Sequence, residues 1–459
     1  VKSSVKKIFK ISRSKQLGPA VQEAISLAGS GVPGPVFMEC PADLLYDESI
    51  VRDWYSSSYN KKNNGLKQKV IQWYIQNHIN RLFKGVEQKP FPSAEKDHSP
   101  VASKQQLKKL AGMINHSSRP VLVMGSGVLF DPTLAVELAE AINAIGIPSY
   151  LSGMSRGLLG QNNPVHFYHK RKEALKNADL IILAGLPVDF RLNYGRGFSR
   201  EANKITINLN KPELRKNINP RQTIHCNPAK CIIALQKEIS GWPSWSEWKK
   251  ELKEQEHKRE TEINEMAALK GDGINSVSLF QKMEQLLPSN SIFIADGGDF
   301  AATCSYILHP RKPLGWLDAG LFGTLGAGGG FALGAALCNP ADYVFIVYGD
   351  GSAAYSITEF DTFTKLGLKV CAIVGNNGSW AQVAREQVTL LGADTATVLP
   401  RSDYHLIARS FGADGEKTDS IDGFGQAIKN AIQSMDKGIP YLINAIIEST
   451  PFREGSISF

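Results

Sequence analysis

Two apolar runs with one helical pattern between them constrain the fold of this chain more than any other feature. Tyr343–Tyr348 (YVFIVY) is continuous and rich in β-branched residues, which is typical of a strand buried on both faces. Leu368–Val374 is a second such run, and Gly367 ends the helical pattern before it. A strand, a helix and a second strand in this order form a right-handed crossover between parallel neighbours. The sequence therefore predicts an α/β fold with parallel, doubly wound sheets.

Each of the two predicted strands ends in a short polar motif. Gly349-Asp350-Gly351-Ser352 follows the first strand, and Asn376-Asn377 follows the second. Residues 352–375 separate the two motifs, a length that one helix and one strand fill. Ser356 and Glu359 predict a capping box at the start of that helix. Because parallel strands end at one edge of a sheet, both motifs should lie where open α/β folds bind ligands.

The residue types in these motifs suit a magnesium ion. Mg²⁺ takes about six oxygen ligands and usually shares them with phosphate groups. Asp350 offers a carboxylate, Asn377 an amide oxygen and Ser379 a backbone carbonyl, with Asn376 beside them. We predict that these four residues form the metal site.

The glycines of the first motif suit a diphosphate. Gly349 and Gly351 allow a close approach of the backbone, and the amides of Gly351 and Ser352 can face an anion at a helix start. A Gly-Asp-Gly sequence alone is equally typical of a tight turn. The interval to Asn376-Asn377 is what favours a ligand site.

Residues 101–239 read as a second α/β unit. Strands are predicted at Val121–Met124, Ala178–Ala184 and Ile205–Leu209, alternating with helical patterns. Gly125-Ser126-Gly127 follows the first of these strands and is too short for a dinucleotide fingerprint. A nucleotide contact and a plain strand–helix turn both stay open for it. Residues 240–270 are charged and Trp-rich, and predict a linker with one helix.

The first hundred residues read differently. Residues 1–46 resemble the end of a domain, in which Pro35–Glu39 is expected as a short buried strand whose partner would precede Val1. Residues 47–100 predict a polar linker that contains an amphipathic helix over Lys67–Lys84. Its apolar stripe should pack on a neighbouring element, the alternative being a membrane surface or a partner protein; the stripe comprises Val70, Tyr74, Ile75, Ile79 and Leu82.

Charge and hydropathy narrow the classes of function. The net charge of +8 is ordinary for a basic soluble surface. The densest basic run, Val1–Lys15, carries one aromatic residue, Phe9, so a nucleic-acid platform is not expected. No apolar stretch reaches the roughly 18 residues of a membrane-spanning helix.

The Gly-Asp-Gly and Asn-Asn motifs, together with Gly315–Leu337 (GWLDAGLFGTLGAGGGFALGAAL), resemble the signature of thiamine-diphosphate-dependent enzymes. The resemblance implies that Gly323 and Leu325 lie against the cofactor, with Leu325 as the aliphatic wedge that bends it; glycine-mediated helix packing is the other interpretation of this stretch. It implies the end of a pyrimidine-binding domain in residues 1–46, a Rossmann-like central domain in 101–239 and a diphosphate- and magnesium-binding domain in 271–459. The central domain holds an ADP-containing group, CoA or FAD, in several relatives.

One branch of this family fits best. Asp361–Glu386 and Phe452–Ser458 (FREGSIS) are similar to the acetolactate synthase-like, or 2-hydroxyacyl-CoA lyase, branch found in animals. Acetolactate synthases proper carry a Gln-Trp pair about nine residues after the second Asn of the motif. Arg385-Glu386 stands there instead, which argues against acetolactate synthesis.

This branch implies cleavage of a 2-hydroxyacyl-CoA to formyl-CoA and an aldehyde one carbon shorter, with thiamine diphosphate and Mg²⁺ as cofactors. Two alternatives stay open: an acetolactate synthase-type carboligase that acts on 2-oxo acids, and a non-catalytic cofactor-binding scaffold. Trp380 and Gln382 are expected at the mouth of the substrate pocket, and Asp296–Asp299 near it. The family's activating Glu would lie upstream of Val1, so the fragment alone is expected to be inactive.

The resemblance also implies partners and a location. The small-molecule partner would be an acyl-CoA, and the protein would be a homodimer or homotetramer, since a neighbouring subunit usually completes each site in the family. An N-terminal segment that would precede Val1 would anchor the protein at the endoplasmic reticulum, with a cytoplasmic or mitochondrial location as the alternative.

Overall fold

The computed structural model describes residues 1–57, 66–85, 99–238 and 241–454. The chain divides into two compact units, Val1–Pro100 and Val101–Phe459. The last part of the predicted Phe452–Ser458 resemblance, residues 455–458, lies outside the described residues. No helix within the described ranges is long and apolar enough to cross a membrane.

The first unit contains a small parallel sheet of two strands. Strand β1 (Ile8–Lys10) pairs with β2 (Phe37–Glu39), and helix α1 (Ser14–Gly29) forms the crossover between them. The expectation that β2 needs a partner upstream of Val1 is therefore wrong, because β1 supplies it. The expectation of a buried strand is also wrong: Phe37 and Glu39 are exposed, since a single neighbouring strand covers β2 only in part.

Helices α2 (Glu48–Ser57) and α3 (Leu66–Phe83) complete the first unit. The predicted amphipathic helix exists, but its apolar stripe is buried only towards its C-terminal end. Ile79 and Leu82 are buried, whereas Val70 and Tyr74 are exposed. The stripe was read from periodicity alone, and periodicity does not say how much of a helix a neighbour covers.

The second unit opens with a five-stranded parallel sheet in the order β4-β3-β5-β6-β7. Every pair of neighbours is parallel, and the order reverses between β3 and β5, as in doubly wound folds. The three predicted strands are present within a few residues, and helices flank them. The elements are β3 (Pro120–Met124), α5 (Ala135–Ile145), β4 (Ser149–Leu151), α6 (Arg171–Asn177), β5 (Leu180–Ala184), β6 (Asn203–Asn208), β7 (Gln222–His225) and α7 (Pro228–Glu238), preceded by α4 (Lys104–Asn115).

A six-stranded parallel sheet follows, in the order β12-β13-β11-β10-β8-β9. Its order reverses at β8, whose neighbours are β9 and β10. The strands are β8 (Ser291–Ala295), β9 (Trp316–Asp318), β10 (Tyr343–Gly349), β11 (Val370–Asn376), β12 (Asp414–Thr418) and β13 (Tyr441–Ile446). The helices are α9 (Ser276–Leu286), α10 (Gly298–Ile307), α11 (Ala327–Cys338), α12 (Asp350–Ser356), α13 (Glu359–Leu366), α14 (Ala381–Leu391), α15 (Tyr404–Ser410) and α16 (Ile421–Met435).

The predicted crossover between β10 and β11 is confirmed. The two strands are parallel neighbours, and Gly349 at the end of β10 pairs with Gly375 of β11. The core residues of β10 from Val344 to Val347 are fully buried, as expected for a strand covered on both faces. Gly367 ends α13 in the left-handed conformation, with φ of 61°.

The predicted capping box is wrong. Helix α12 begins at Asp350, directly after β10, and Ser356 is its last residue. The Ser356 hydroxyl shares a hydrogen bond of 2.8 Å with the hydroxyl of Tyr348, and Thr358 precedes α13 without a side-chain cap. The serine is thus satisfied by a tyrosine from the strand below, a contact that local sequence does not reveal.

Helix α8 (Ser246–Ala267) occupies most of the predicted linker and packs on both sheets. The indole N–H groups of Trp245 and Trp248 donate to the carbonyls of Ser117 and Pro120, beside β3, at 2.9 and 3.0 Å. Near its other end, Ile263 lies in the core of the second sheet. This packing places both sheets in one compact unit.

Candidate active site

A cavity of about 670 Å³ lies at the carboxyl ends of β8, β10 and β11, where the strand order of the second sheet reverses. Its walls come from the segments that follow these strands, from the loop before α11 and from α14. Most of the residues predicted from the sequence line it: Gly323, Leu325, Gly349, Asp350, Gly351, Ser352, Asn377, Ser379, Trp380 and Gln382.

Asp350 is a deeply buried polar residue of this cavity. Its Oδ1 accepts a hydrogen bond from the Gly351 amide at 2.8 Å, and its Oδ2 accepts from the amides of Gly378 and Ser379 at 2.7 and 3.1 Å. Burial raises the pKa of Asp350 above its usual value, and the three amides oppose that rise. Backbone geometry therefore fixes the carboxylate between the ends of β10 and β11.

The donors around Asp350 fit a magnesium ion. A carboxylate has about four lone-pair positions, and the three amides leave one of them for a cation. Asn377 and Ser379 line the same cavity. Among the described residues no three His, Cys, Asp or Glu side chains cluster as metal ligands, so a metal here would share its shell with phosphate oxygens, as Mg²⁺ usually does.

Asn376 lies apart from this set. Its side-chain amide donates to the carbonyl of Ser402 at 3.0 Å and to Oδ1 of Asn444 at 3.1 Å, and it does not line the cavity. Asn376 is the last residue of β11, whereas Asn377 lies beyond the strand and lines the cavity. Asn376 thus links β11 to β13 through its Nδ2 atom, while its Oδ1 atom is buried without a hydrogen-bond partner among the described residues, and its role as a metal ligand stays a prediction.

Gly351 has a steric reason to be glycine. A Cβ there would overlap the six-membered ring of Trp380, which lies directly on the Gly351 backbone. The Gly351 amide points to the carboxylate of Asp350, and the Ser352 hydroxyl donates to the Gly349 carbonyl at 3.0 Å. The end of the cavity predicted for the diphosphate is thus a turn at Gly351 that has no side chain and is covered by the indole ring of Trp380.

Leu325 forms the opposite wall. Its Cδ2 packs against the backbone of Gly297, where a Cβ would overlap it. Gly323 adopts the left-handed conformation, with φ of 55°, and ends the turn that precedes Leu325. The two glycines let an aliphatic side chain project between the ends of β8 and β10, which is the position expected of a wedge under a cofactor.

The two aspartates after β8 have separate environments. The Asp296 carboxylate accepts from the amides of Gly326 and Gly328 at 3.0 and 2.6 Å, at the start of α11, and burial raises its pKa. Asp299 lines the cavity and forms an ion pair with Arg385. Of the predicted Asp296–Asp299 segment, Asp299 therefore faces this site, whereas Asp296 holds the glycine-rich loop.

Arg385 and Arg453 are wall residues that the sequence did not assign to the site. Arg385 lies one turn along α14 from Ala381 and Gln382, so helical spacing after Asn377 would have placed it on the same face. Arg453 belongs to the Phe452–Ser458 segment and lies over the ring of Tyr306, 5.1 Å from its centroid. Arg453 reaches the cavity because the segment after β13 folds back towards it, and no local sequence pattern predicts that path.

A second cavity, of about 540 Å³, lies at the carboxyl edge of the central sheet and reaches residues that follow β8 and β9. Cationic side chains are frequent in its lining: Arg156, Lys170, Arg171, Lys172, Arg191 and Arg259. Arg156 donates to the Ser305 carbonyl at 3.0 Å and Arg171 to the Arg191 carbonyl at 3.1 Å, and burial lowers the pKa of both guanidinium groups.

Two buried histidines share this lining. Burial lowers the pKa of His166 to about 3 and that of His169 to about 4, so both are neutral at pH 7. The Nδ1 atoms of both rings are enclosed and have no hydrogen-bond partner among the described residues. Neutral rings with unused nitrogen atoms, beside several cations, suit an anionic ligand with hydrogen-bonding groups.

The glycines of Gly125-Ser126-Gly127 serve backbone packing. A Cβ at Gly125 or Gly127 would approach the Gly185 carbonyl oxygen to 2.8 or 2.7 Å. The turn therefore closes tightly on the segment that follows β5, and its residues do not line the second cavity. Of the two interpretations left open for this turn, the structure favours the plain strand–helix turn.

Comparison with protein families gives two matches. Residues 296–445 match the C-terminal TPP binding domain of thiamine pyrophosphate enzymes, and residues 107–235 match their central domain. A 4-hydroxybenzoylformate decarboxylase from Rhodococcus jostii, thiamine diphosphate-dependent, has the same fold: the TM-score is 0.68 at 20% identity, over 98% of this chain and 79% of that one.

Curated relatives are more similar in sequence. The 2-hydroxyacyl-CoA lyase 2 of Danio rerio is 41% identical over 97% of this chain and 72% of its own length, and the human protein of that name is 39% identical over 98% and 72%. A probable acetolactate synthase of Mycobacterium bovis is 27% identical over 78% of this chain and 65% of its own length. The chain belongs to the thiamine pyrophosphate enzymes and, within them, to the 2-hydroxyacyl-CoA lyase 2 family.

Proposed function

We propose that the protein is a thiamine-diphosphate- and magnesium-dependent carbon–carbon lyase that cleaves a 2-hydroxyacyl-CoA to formyl-CoA and an aldehyde one carbon shorter. The observation that carries this proposal is the strand-end cavity, which unites Asp350, Asn377 and Leu325. Relatives named 2-hydroxyacyl-CoA lyase 2 that are 36–41% identical supply the substrate class.

The residues of the first cavity have distinct roles in this proposal. Asp350 and Asn377, with the Ser379 carbonyl, would hold Mg²⁺ against the diphosphate, and Leu325 would support the bend of the cofactor from the opposite wall. Thiamine diphosphate, when bound, supplies the nucleophilic carbon and the electron sink for the cleavage. The protein contributes position, charge and the exclusion of water.

Trp380 and Gln382 would contact both the cofactor and the substrate. Trp380 covers the backbone at Gly351, and Gln382 lies in the first turn of α14. Gln382 offers an amide donor and an acceptor, which suit the carbonyl and the 2-hydroxyl group of the substrate. The nonpolar part of the cavity wall, which includes Val383 and Val388, suits the acyl chain.

An ADP-containing group, such as that of CoA, is our proposal for the second cavity. The cations there, with Arg156 and Arg171 partly enclosed, match the charge of a diphosphate. FAD, which relatives of the acetolactate synthase type hold, is the alternative occupant. The proposal rests on charge and position at the strand-order reversal and not on the Gly125-Ser126-Gly127 turn.

We further propose a homodimer or homotetramer, in which another subunit covers the first cavity and brings the activating Glu. Large apolar side chains around this cavity support a covering partner: Phe322, which lines it, is 90% exposed, and Leu390 and Leu391 of α14 are 78% and 74% exposed. A location at the endoplasmic reticulum is a proposal that rests on the family resemblance.

The decisive experiment uses the full-length protein with thiamine diphosphate and MgCl₂. A 2-hydroxyacyl-CoA and pyruvate are supplied separately, and formyl-CoA, aldehyde and acetolactate are measured. We expect aldehyde and formyl-CoA from the first substrate and loss of this activity in Asp350→Ala.

Acetolactate formed from pyruvate would favour the second candidate function, an acetolactate synthase-type carboligase. The 27% identity to a probable acetolactate synthase is the observation behind that candidate. Turnover of neither substrate by a protein that still binds the cofactor would favour the scaffold. Unchanged cofactor binding by Asp350→Ala would refute the metal assignment.

A further inference from the structure

Helix α14 forms one wall of the first cavity and is weakly held. Residues 381–385, 388 and 389 of this helix line the cavity. None of its residues is buried, and Leu390 and Leu391 are exposed. A helix with so little buried apolar surface depends on polar contacts for its position.

One ion pair ties this helix to the body of the domain. The Nη1 atom of Arg385 bonds to the Oδ2 atom of Asp299, in the first turn of α10. The two side chains are only 21% and 17% exposed, so water screens the pair weakly. Within the described ranges, no other ion pair reaches α14.

The pair connects the two walls that enclose the proposed cofactor. Asp299 follows Gly297, whose backbone supports Leu325 and whose carbonyl accepts from the Gly349 amide at 3.4 Å. Arg385 follows Trp380, whose ring covers Gly351. A shift of α14 would therefore move the indole away from the diphosphate end of the cavity.

We propose that Asp299 and Arg385 form a positioning pair that holds α14, and with it Trp380, over bound thiamine diphosphate. The inference rests on the proposed function, because it needs the cofactor in this cavity. Neither residue is assigned a chemical step; the pair acts through the position of the helix. Retention of the cofactor is the property that it controls.

The pair lies in an enclosed setting and uses only part of its hydrogen-bonding capacity. Arg385 Nη2 and Asp299 Oδ1 are both enclosed and have no hydrogen-bond partner among the described residues. An Arg–carboxylate pair can form two parallel hydrogen bonds, and here it forms one. Each side chain therefore keeps one unused hydrogen-bonding atom beside the bond that ties α14 to α10.

The test is a double-mutant cycle on the full-length protein, with binding as its readout. Thiamine diphosphate is titrated at saturating MgCl₂ by calorimetry into the unmodified protein, Arg385→Met, Asp299→Asn and the double variant. We expect each single change to raise the dissociation constant at least tenfold, and the double variant to bind about as weakly as either single one, because coupled residues are non-additive.

Two further variants separate positioning from general damage. Arg385→Lys keeps the charge and should regain most of the affinity. Lys365→Met removes the exposed ion pair with Asp361 on α13 and should change nothing. Saturating cofactor should restore kcat in Arg385→Met to within about twofold, which a catalytic residue would not allow.

Unchanged affinity in both single variants, or additive losses in the double variant, would overturn the inference. A kcat that stays low at saturating cofactor would overturn it as well. Absence of cofactor binding by the unmodified protein would instead overturn the proposed function on which the inference rests. If Arg385→Met fails to fold, Arg385→Lys and Asp299→Asn still decide the outcome.

Discussion

The two parallel sheets of the second unit each place a cavity at the carboxyl edge, where the strand order reverses, yet the two cavities differ in chemistry. At the six-stranded sheet, backbone amides and Asp350 prepare a place for a cation and a diphosphate. At the central sheet, cationic side chains and two neutral histidines surround the space.

The difference shows which kind of site a sequence can reveal. The first cavity is built from residues directly after two strands, so its chemistry appears as short motifs at a fixed interval. The second is lined by side chains from scattered loops and helices, and its Gly-Ser-Gly turn serves packing against Gly185. Both cavities result from the sheet topology, but only the first is marked by short sequence motifs.

The largest expected effect separates Asn377, which lines the first cavity, from its neighbour Asn376, which does not. Asn377→Ala should weaken the binding of Mg²⁺ and thiamine diphosphate on the order of 10- to 100-fold, with little change in stability, because it removes a cavity-facing amide oxygen. Asn376→Ala should leave cofactor affinity nearly unchanged and lower the free energy of unfolding by about 1–3 kcal/mol, because it strips Asn444 of its donor. Calorimetric titration and urea unfolding measure the two effects.

The control is Asn430→Ala on α16, whose side chain bonds only to exposed or half-buried partners away from the cavity. Equal losses of cofactor affinity in Asn376→Ala and Asn377→Ala would instead support Asn376 as a metal ligand.

The second prediction asks whether the central cavity binds an anion independently. Arg171→Met should raise the dissociation constant for ADP roughly tenfold, because it removes a charge-assisted contact, and should leave the affinity for thiamine diphosphate unchanged. Isothermal titration of both ligands into the same preparation tests this. Lys172→Met, on the same helix but more exposed, should have a smaller effect.

If Arg171→Met does not change the affinity for ADP, the nucleotide binds at another site. If the unmodified protein does not bind ADP, the proposal of a nucleotide in the second cavity is wrong. Equal losses for both ligands would show that the two cavities do not act separately.

The smallest expected effect is a pH dependence that the central cavity confers on stability. In the unfolded chain His166 and His169 titrate near 6.5, whereas their folded-state pKa values are about 3 and about 4 because of burial. As the pH falls from about 7 to 6, the unfolded state therefore binds protons that the folded state does not, and the free energy of unfolding falls; well above pH 7 the two histidines contribute no slope. Between pH 7 and pH 6 the loss should be about 1.4 kcal/mol, or about 0.7 kcal/mol for each histidine.

Urea unfolding at pH 7 and pH 6 measures this loss, and replacing both histidines by Asn should reduce it. A stability that is flat across this range would show that the folded state protonates both rings as readily as the unfolded one.

Local pattern predicted most of what lies at the strand ends. The β10–α13–β11 crossover, the three central strands and the placement of Asp350 and Asn377 at one cavity followed from apolar runs and the interval between motifs, whereas Leu325 and Trp380 were expected there from the family resemblance. The same reasoning failed where a long-range partner decided the outcome. Ser356 bonds to Tyr348 rather than capping a helix.

The apolar pattern of the sequence also gave wrong expectations for the burial of α3 and β2. Two of the five residues in the α3 stripe are exposed, and so are Phe37 and Glu39 of β2, because apolar periodicity indicates which face can be buried and not which element covers it. The sequence pattern also did not predict the Asp299–Arg385 ion pair, whose members are 86 residues apart in the chain.

The sequence by itself determined the parallel α/β class, the edge at which the cofactor site lies and the family of the enzyme, because strand periodicity and motif spacing are local properties of the chain. The tertiary structure decided which neighbour of a motif pair faces the ligand, which glycines serve packing and which distant charges meet. Those outcomes depend on strand faces, helix contacts and chain returns, and these exist only once the sheets are assembled.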